Sequence, residues 1–136
     1  MAPYAPFLAV LGRNSSRAHL AIATAKDRRS VEALLRHYGA EPLFRSEWIF
    51  DKETGVGKTA HLTRLREQLG VAFGEITFVD DKVNHLDAVR PLGVRCALAA
   101  WGYNGPREQR LARERGYAVL SLANAEAQLF DDASGA

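Results

Sequence analysis

From residue 19 onward the sequence alternates short apolar runs with amphipathic stretches, and this alternation constrains the fold more than any single motif does. Residues 19–24 (HLAIAT) form a continuous apolar run of the kind expected for a strand covered on both faces. Asp27 can cap a following helix in which Val31, Leu34, Leu35 and Tyr38 fall on one stripe, and Gly39 stops it. Residues 43–50, with Phe44, Trp48, Ile49 and Phe50, read as a short strand or extended segment, and polar, glycine-containing residues 51–57 as a loop. Lys58 opens a second amphipathic helix with Leu62, Leu65 and Leu69 facing inward and Gly70 at its end. Residues 75–80 are the next strand. The helix that starts near Val83 carries Leu86 and Val89 and is limited by Pro91. Residues 94–99 are a strand, 101–106 a turn-rich loop, 107–115 a charged helix whose arginines make a solvated face, and 117–120 a last short strand. A last helix holds Glu126 and Phe130, and residues 131–136 are a frayed tail.

Ahead of this pattern, residues 4–11 are mostly apolar and run into turn formers at 12–16, which predicts a helix ending near Asn14. A strand over Phe7 and Leu11 would lie too close to the next strand, because a parallel crossover needs about a dozen residues. The predicted fold is therefore α/β: one domain with a mostly parallel, three-layer Rossmann-like sheet and helices on both faces.

With 136 residues, the chain is long enough for one substantial core. Its net charge is only +2, with arginines interleaved among glutamates, which argues against nucleic acid as the main partner. Cys96 is the only cysteine, so no internal disulfide and no thiolate zinc cluster can form. No apolar stretch approaches the roughly 20 residues of a membrane span. No charged leader precedes an apolar signal segment, so a cytoplasmic location is expected.

Within this frame, residues 76–84 (ITFVDDKVN) place Asp80 and Asp81 at the carboxyl end of a strand, the edge at which parallel sheets bind ligands. Adjacent carboxylates repel unless a positive charge lies between them. A hard cation such as Mg²⁺, which takes oxygen ligands, suits the pair. The competing reading makes Asp81 a helix cap and Asp80 a surface residue. Two further residues converge on the same edge: Thr24 at a strand end and Lys58 at a helix start. A hydroxyl, a cation and a carboxylate pair are the parts needed to hold a phosphoryl group and spread its charge. Each has a plainer explanation alone, since Thr is common in strands and an exposed Lys is usually solvated. The segment GVGKT ending at Thr59 imitates a phosphate-binding P-loop, but Lys52 stands where its first glycine belongs. His19, His37, His61 and His85 are scattered over different elements and suggest no metal site.

In order and spacing these residues resemble the haloacid dehalogenase-like superfamily over about residues 3–130, and most of all its magnesium-dependent phosphatase-like branch. Thr24 in LAIATAK matches the second motif, Lys58 in KTAHLTRL the third, and Asp80 and Asp81 in ITFVDDKVNHLDAVRPLGV the fourth; LGVRC and WGYN fit the same branch. The resemblance implies that Thr24, with Ala25 beside it, binds the phosphoryl oxygens of a phosphorylated substrate. It implies that Lys58 neutralises charge there and that Asp80 and Asp81 hold Mg²⁺, with Asn84 a further candidate. It also implies a first strand ending in Asp-x-Asp, where one Asp attacks phosphorus and the other is general acid and base. None of the 26 residues before Asp27 is Asp or Glu. The expectation is a core lacking its first, central strand and its nucleophile, hence no turnover. The strands at 19–24 and 75–80 would then pair directly or leave unpaired backbone, open to self-association or a partner strand. A non-catalytic binding module is the alternative reading.

Overall fold

The computed structural model describes residues 4–14, 16, 18–24, 27–50, 57–101 and 104–130. The chain divides into two compact units, Met1–Leu69 and Gly70–Ala136. Ala25, the loop 51–56 and the tail 131–136 lie outside the described residues.

The first unit begins with helix α1 (Tyr4–Arg13), as its apolar run predicts. Strand β1 is only Ile22–Ala23, shorter than the apolar run that contains it. Helix α2 (Arg28–Tyr38) starts as its capping residue requires, with Asp27 Oδ1 accepting the Ser30 N–H at 2.7 Å. It ends at Gly39, whose φ of 66° is the left-handed conformation in which glycine avoids a Cβ clash. Two 3₁₀ turns, Glu41–Leu43 and Ser46–Trp48, fill most of the segment predicted as extended, and only Ile49–Phe50 forms strand β2. Strands β1 and β2 pair in parallel, Ile22 opposite Ile49 and Ala23 opposite Phe50. Val31, Leu35, Ala40 and Ile49 make the buried cluster, with Leu8, Ile22, Tyr38, Leu43 and Phe44 packed on it. Helix α3 (Lys58–Leu69) closes the unit, with Leu62 and Leu65 buried.

The second unit opens with a 3₁₀ turn, Phe73–Glu75, so strand β3 is Thr77–Asp80 rather than starting at residue 75. Helix α4 (Val83–Val89) leads through a 3₁₀ turn containing Pro91 to strand β4 (Arg95–Ala99). Helix α5 (Pro106–Glu114), strand β5 (Ala118–Leu120) and helix α6 (Ala125–Phe130) follow. The sheet order is β3-β4-β5, all parallel, with Asp80 opposite Leu98 and Ala99 opposite Leu120. Leu86 and Val89 of α4, Leu98 of β4, Ala112 of α5, Leu120 of β5 and Ala125 of α6 are fully buried, and β3 contributes buried Phe78. Among the described residues β1 and β3 are each an edge strand of their own sheet. No helix is long and apolar enough to cross a membrane, of the described residues.

Candidate functional site

Parallel pairing brings the carboxyl ends of β3 and β4 to one edge, and there the chain concentrates polar side chains. Asp80 is the last residue of β3 and its side chain is only 10% exposed, so it is not the surface residue of the plainer reading. A carboxylate taken out of water needs hydrogen-bond donors. Asp80 Oδ1 accepts the Lys82 backbone N–H at 3.0 Å and lies 2.9 Å from His85 Nδ1. Asp81, half-buried, follows in the turn.

The turn is fixed from the other side by the loop and helix after β4. Asn104 Nδ2 donates to the Asp81 carbonyl at 3.1 Å and to the Ala99 carbonyl at 2.9 Å, which ties the ends of β3 and β4 together. Gln109 Nε2 donates to Asn104 Oδ1 at 2.9 Å and so orients that amide. The first N–H of α4 has no partner within its own helix. Glu108 Oε2 accepts it, from Val83, at 2.7 Å. The α4 cap is thus a glutamate of α5, while the residue at the cap position, Lys82, supplies no side-chain bond. Asn84 sits in the first turn of α4 and is exposed.

In the first unit the structure brings Lys58 to the end of β1. Lys58 is the first residue of α3, and its Nζ donates to the Ala23 carbonyl at 2.7 Å, one residue before Thr24. The Thr24 N–H donates to the Phe50 carbonyl at 2.9 Å, which carries the β1–β2 pairing one residue past the strand. Arg28 Nη2 donates to the Ile49 carbonyl at 2.6 Å, so a second cation is held at these strands. Thr24 and Lys58, 34 residues apart in sequence, are therefore held at one strand end, both half-buried.

The donor set suits the cation that the resemblance implies. Asp80 and Asp81 are consecutive hard oxygen donors at a strand end, and Mg²⁺ is commonly bound by one or two carboxylates, with water and phosphate oxygens completing its shell. Among the described residues no group of three His, Cys, Asp or Glu side chains gathers as an all-protein cage.

His85, Asn104, Glu108 and Gln109 were not among the residues singled out from sequence. His85 could have been found from its place in the first turn of the helix behind the carboxylates. Asn104 lies in the WGYN segment, but nothing in the sequence says which carbonyls it joins. Glu108 acts across 25 residues and leaves no local signal.

A family model for haloacid dehalogenase-like hydrolases matches residues 2–93. No curated protein matches the sequence. Among solved structures, a haloacid dehalogenase-like family hydrolase from Streptococcus pneumoniae is 16% identical, with a TM-score of 0.73 over 89% of this chain and 57% of its own. A haloacid dehalogenase-like protein of unknown function from Agrobacterium tumefaciens is 18% identical, with a TM-score of 0.66 over 83% of this chain and 54% of its own. A HAD family hydrolase from Deinococcus radiodurans, with bound phosphate and sodium, is 25% identical, with a TM-score of 0.69 over 98% of this chain and 62% of its own. The chain therefore spans little more than half the length of these structures.

Proposed function

Because this chain belongs to the haloacid dehalogenase-like hydrolase family, we propose that it carries the phosphate- and Mg²⁺-binding parts of a phosphatase of the magnesium-dependent type. The observation that carries this reading is the carboxylate turn: Asp80 and Asp81 stand consecutively where β3 ends, with Asp80 shielded and its Oδ1 held by Lys82 N–H and His85. A bound Mg²⁺ supplies charge neutralisation at phosphoryl oxygens. Asp80 and Asp81 hold it, directly or through water. Thr24 donates its hydroxyl to a phosphoryl oxygen. Lys58, already drawn to the end of β1 by the Ala23 carbonyl, places its charge beside Thr24. The phosphate in the Deinococcus radiodurans structure, the nearest of the three in identity, supports a phosphorylated substrate.

None of the 26 residues before Asp27 is Asp or Glu, so these residues do not themselves supply an aspartyl nucleophile. By itself the chain binds Mg²⁺ and phosphate without hydrolysing a phosphate ester. Fusing a strand that ends in Asp-x-Asp ahead of Met1 tests this: p-nitrophenyl phosphate should then be hydrolysed only with Mg²⁺ present, and Asp81→Asn should abolish the activity. Full activity in Asp81→Asn would refute the site assignment.

The edge position of β3 among the described residues favours a second reading, in which the chain accepts a partner strand as an interaction module. Sedimentation showing a monomer at all concentrations, together with no gain of activity in the fusion, would leave neither reading standing.

A further inference from the structure

From the following helix His85 meets the shielded carboxylate of Asp80, 2.9 Å from Nδ1 to Oδ1. A carboxylate that binds a cation is ionised and only accepts hydrogen bonds, so Nδ1 is the donor in this contact. The other donor to the same oxygen is the backbone N–H of Lys82, two residues on, which belongs to the turn itself. The imidazole is different, because it is anchored on α4, whose Val83, Leu86 and Val89 are buried. A side-chain donor added to the turn's own N–H on one oxygen restrains the carboxylate more than that N–H does alone. Carboxylates that ligate metals are themselves hydrogen-bonded, and the loss of such an outer partner costs about 10- to 100-fold in metal affinity. Its Nδ1 is taken up by the Asp80 oxygen, so through that nitrogen it holds Asp80 rather than the ion.

We propose that His85 is a positioning residue for a divalent cation: through Nδ1 it orients the Asp80 carboxylate before the ion arrives. The proposal rests on the reading of Asp80 and Asp81 as the Mg²⁺ ligands. It makes His85, rather than exposed Asn84, the residue of the α4 first turn that matters to the site.

The test titrates the full chain with Mn²⁺, a paramagnetic stand-in for Mg²⁺, and reads the free ion by electron paramagnetic resonance. His85→Ala should weaken Mn²⁺ binding by about tenfold. His85→Asn, whose amide N–H can take the place of Nδ1–H, should restore most of the affinity. Both variants should unfold thermally, without metal, close to the unmodified chain. Unchanged Mn²⁺ affinity in His85→Ala would overturn the proposal, as would a His85→Asn variant that folds normally and binds as weakly as His85→Ala. Asp81→Asn separates the two levels. If it binds Mn²⁺ like the unmodified chain, the carboxylate reading fails and His85 falls with it; if it loses the ion while His85→Ala keeps it, only the role of His85 fails.

Discussion

Asp87 is held by two partners from the segment between α5 and β5: Tyr117 Oη donates to Oδ1 at 2.6 Å, and the Arg115 guanidinium meets Oδ2. Arg90 completes the cluster, with its guanidinium 5.2 Å from the centre of the Tyr117 ring and its Nη1 donating to the Arg115 carbonyl. The Tyr117 hydroxyl, with help from Arg115 and Arg90, draws the Asp87 carboxyl below its ordinary range despite the opposing effect of burial. Burial, and next the bond to Asp87, push the Tyr117 hydroxyl up, so it stays a donor at neutral pH. A carboxyl whose folded value is depressed contributes stability above its unfolded value of about 3.9 and loses it as pH falls through the folded value. Tyr117→Phe should therefore cost about 1 kcal/mol in urea unfolding at neutral pH. The gap should narrow as the medium is acidified through the depressed folded value of Asp87, below which the carboxyl is protonated in both proteins. A gap independent of pH would contradict this. At this scale the sequence is least legible: Asp80 and Asp81 stand out as a pair and Asp80 meets Lys82 and His85 close by, but Asn104 at Asp81 and Tyr117 and Arg115 at Asp87 come from segments that no spacing rule connects to them.

Among the elements, α2 was the most legible, because its signals are local. Asp27 caps it, Val31 and Leu35 face the core one turn apart, and Gly39 ends it. Leu34 belongs to the same sequence stripe yet is 42% exposed, so the buried face is narrower than the apolar pattern suggested. Strand ends were harder to read. A continuous apolar run such as 19–24 has no alternation to mark where pairing stops, and only Ile22–Ala23 pair. The segment before β2 turns through Glu41–Leu43 and Ser46–Trp48 because Pro42 and the turn at Ser46 favour 3₁₀ geometry over extension. Gly39 gives a clean test of the local account. Its φ is 66°, and a Cβ there would meet nothing within 4 Å, so Gly39→Ala carries a backbone penalty without a clash. Thermal or urea unfolding should show a loss of about 1 kcal/mol. A neutral or stabilising effect would mean that the helix ends differently.

For the whole molecule, the alternation of strands and helices was enough to specify a parallel α/β fold, and solved structures with TM-scores of 0.66 to 0.73 bear this out. The order of strands was not legible, because pairing is decided by tertiary packing, and it resolves into β1-β2 and β3-β4-β5. Thr24 and Lys58 stand together at the end of β1 in the first unit, and Asp80 and Asp81 at the end of β3 in the second; the first pair suits phosphoryl oxygens and the second Mg²⁺. The most direct measurement is the ³¹P resonance of inorganic phosphate in the presence of the chain, recorded with and without Mg²⁺. The line should broaden only when Mg²⁺ is present, recover its free width in Asp81→Asn, and broaden less in Lys58→Ala. Broadening that ignores Mg²⁺, or that survives unchanged in Asp81→Asn, would contradict the account.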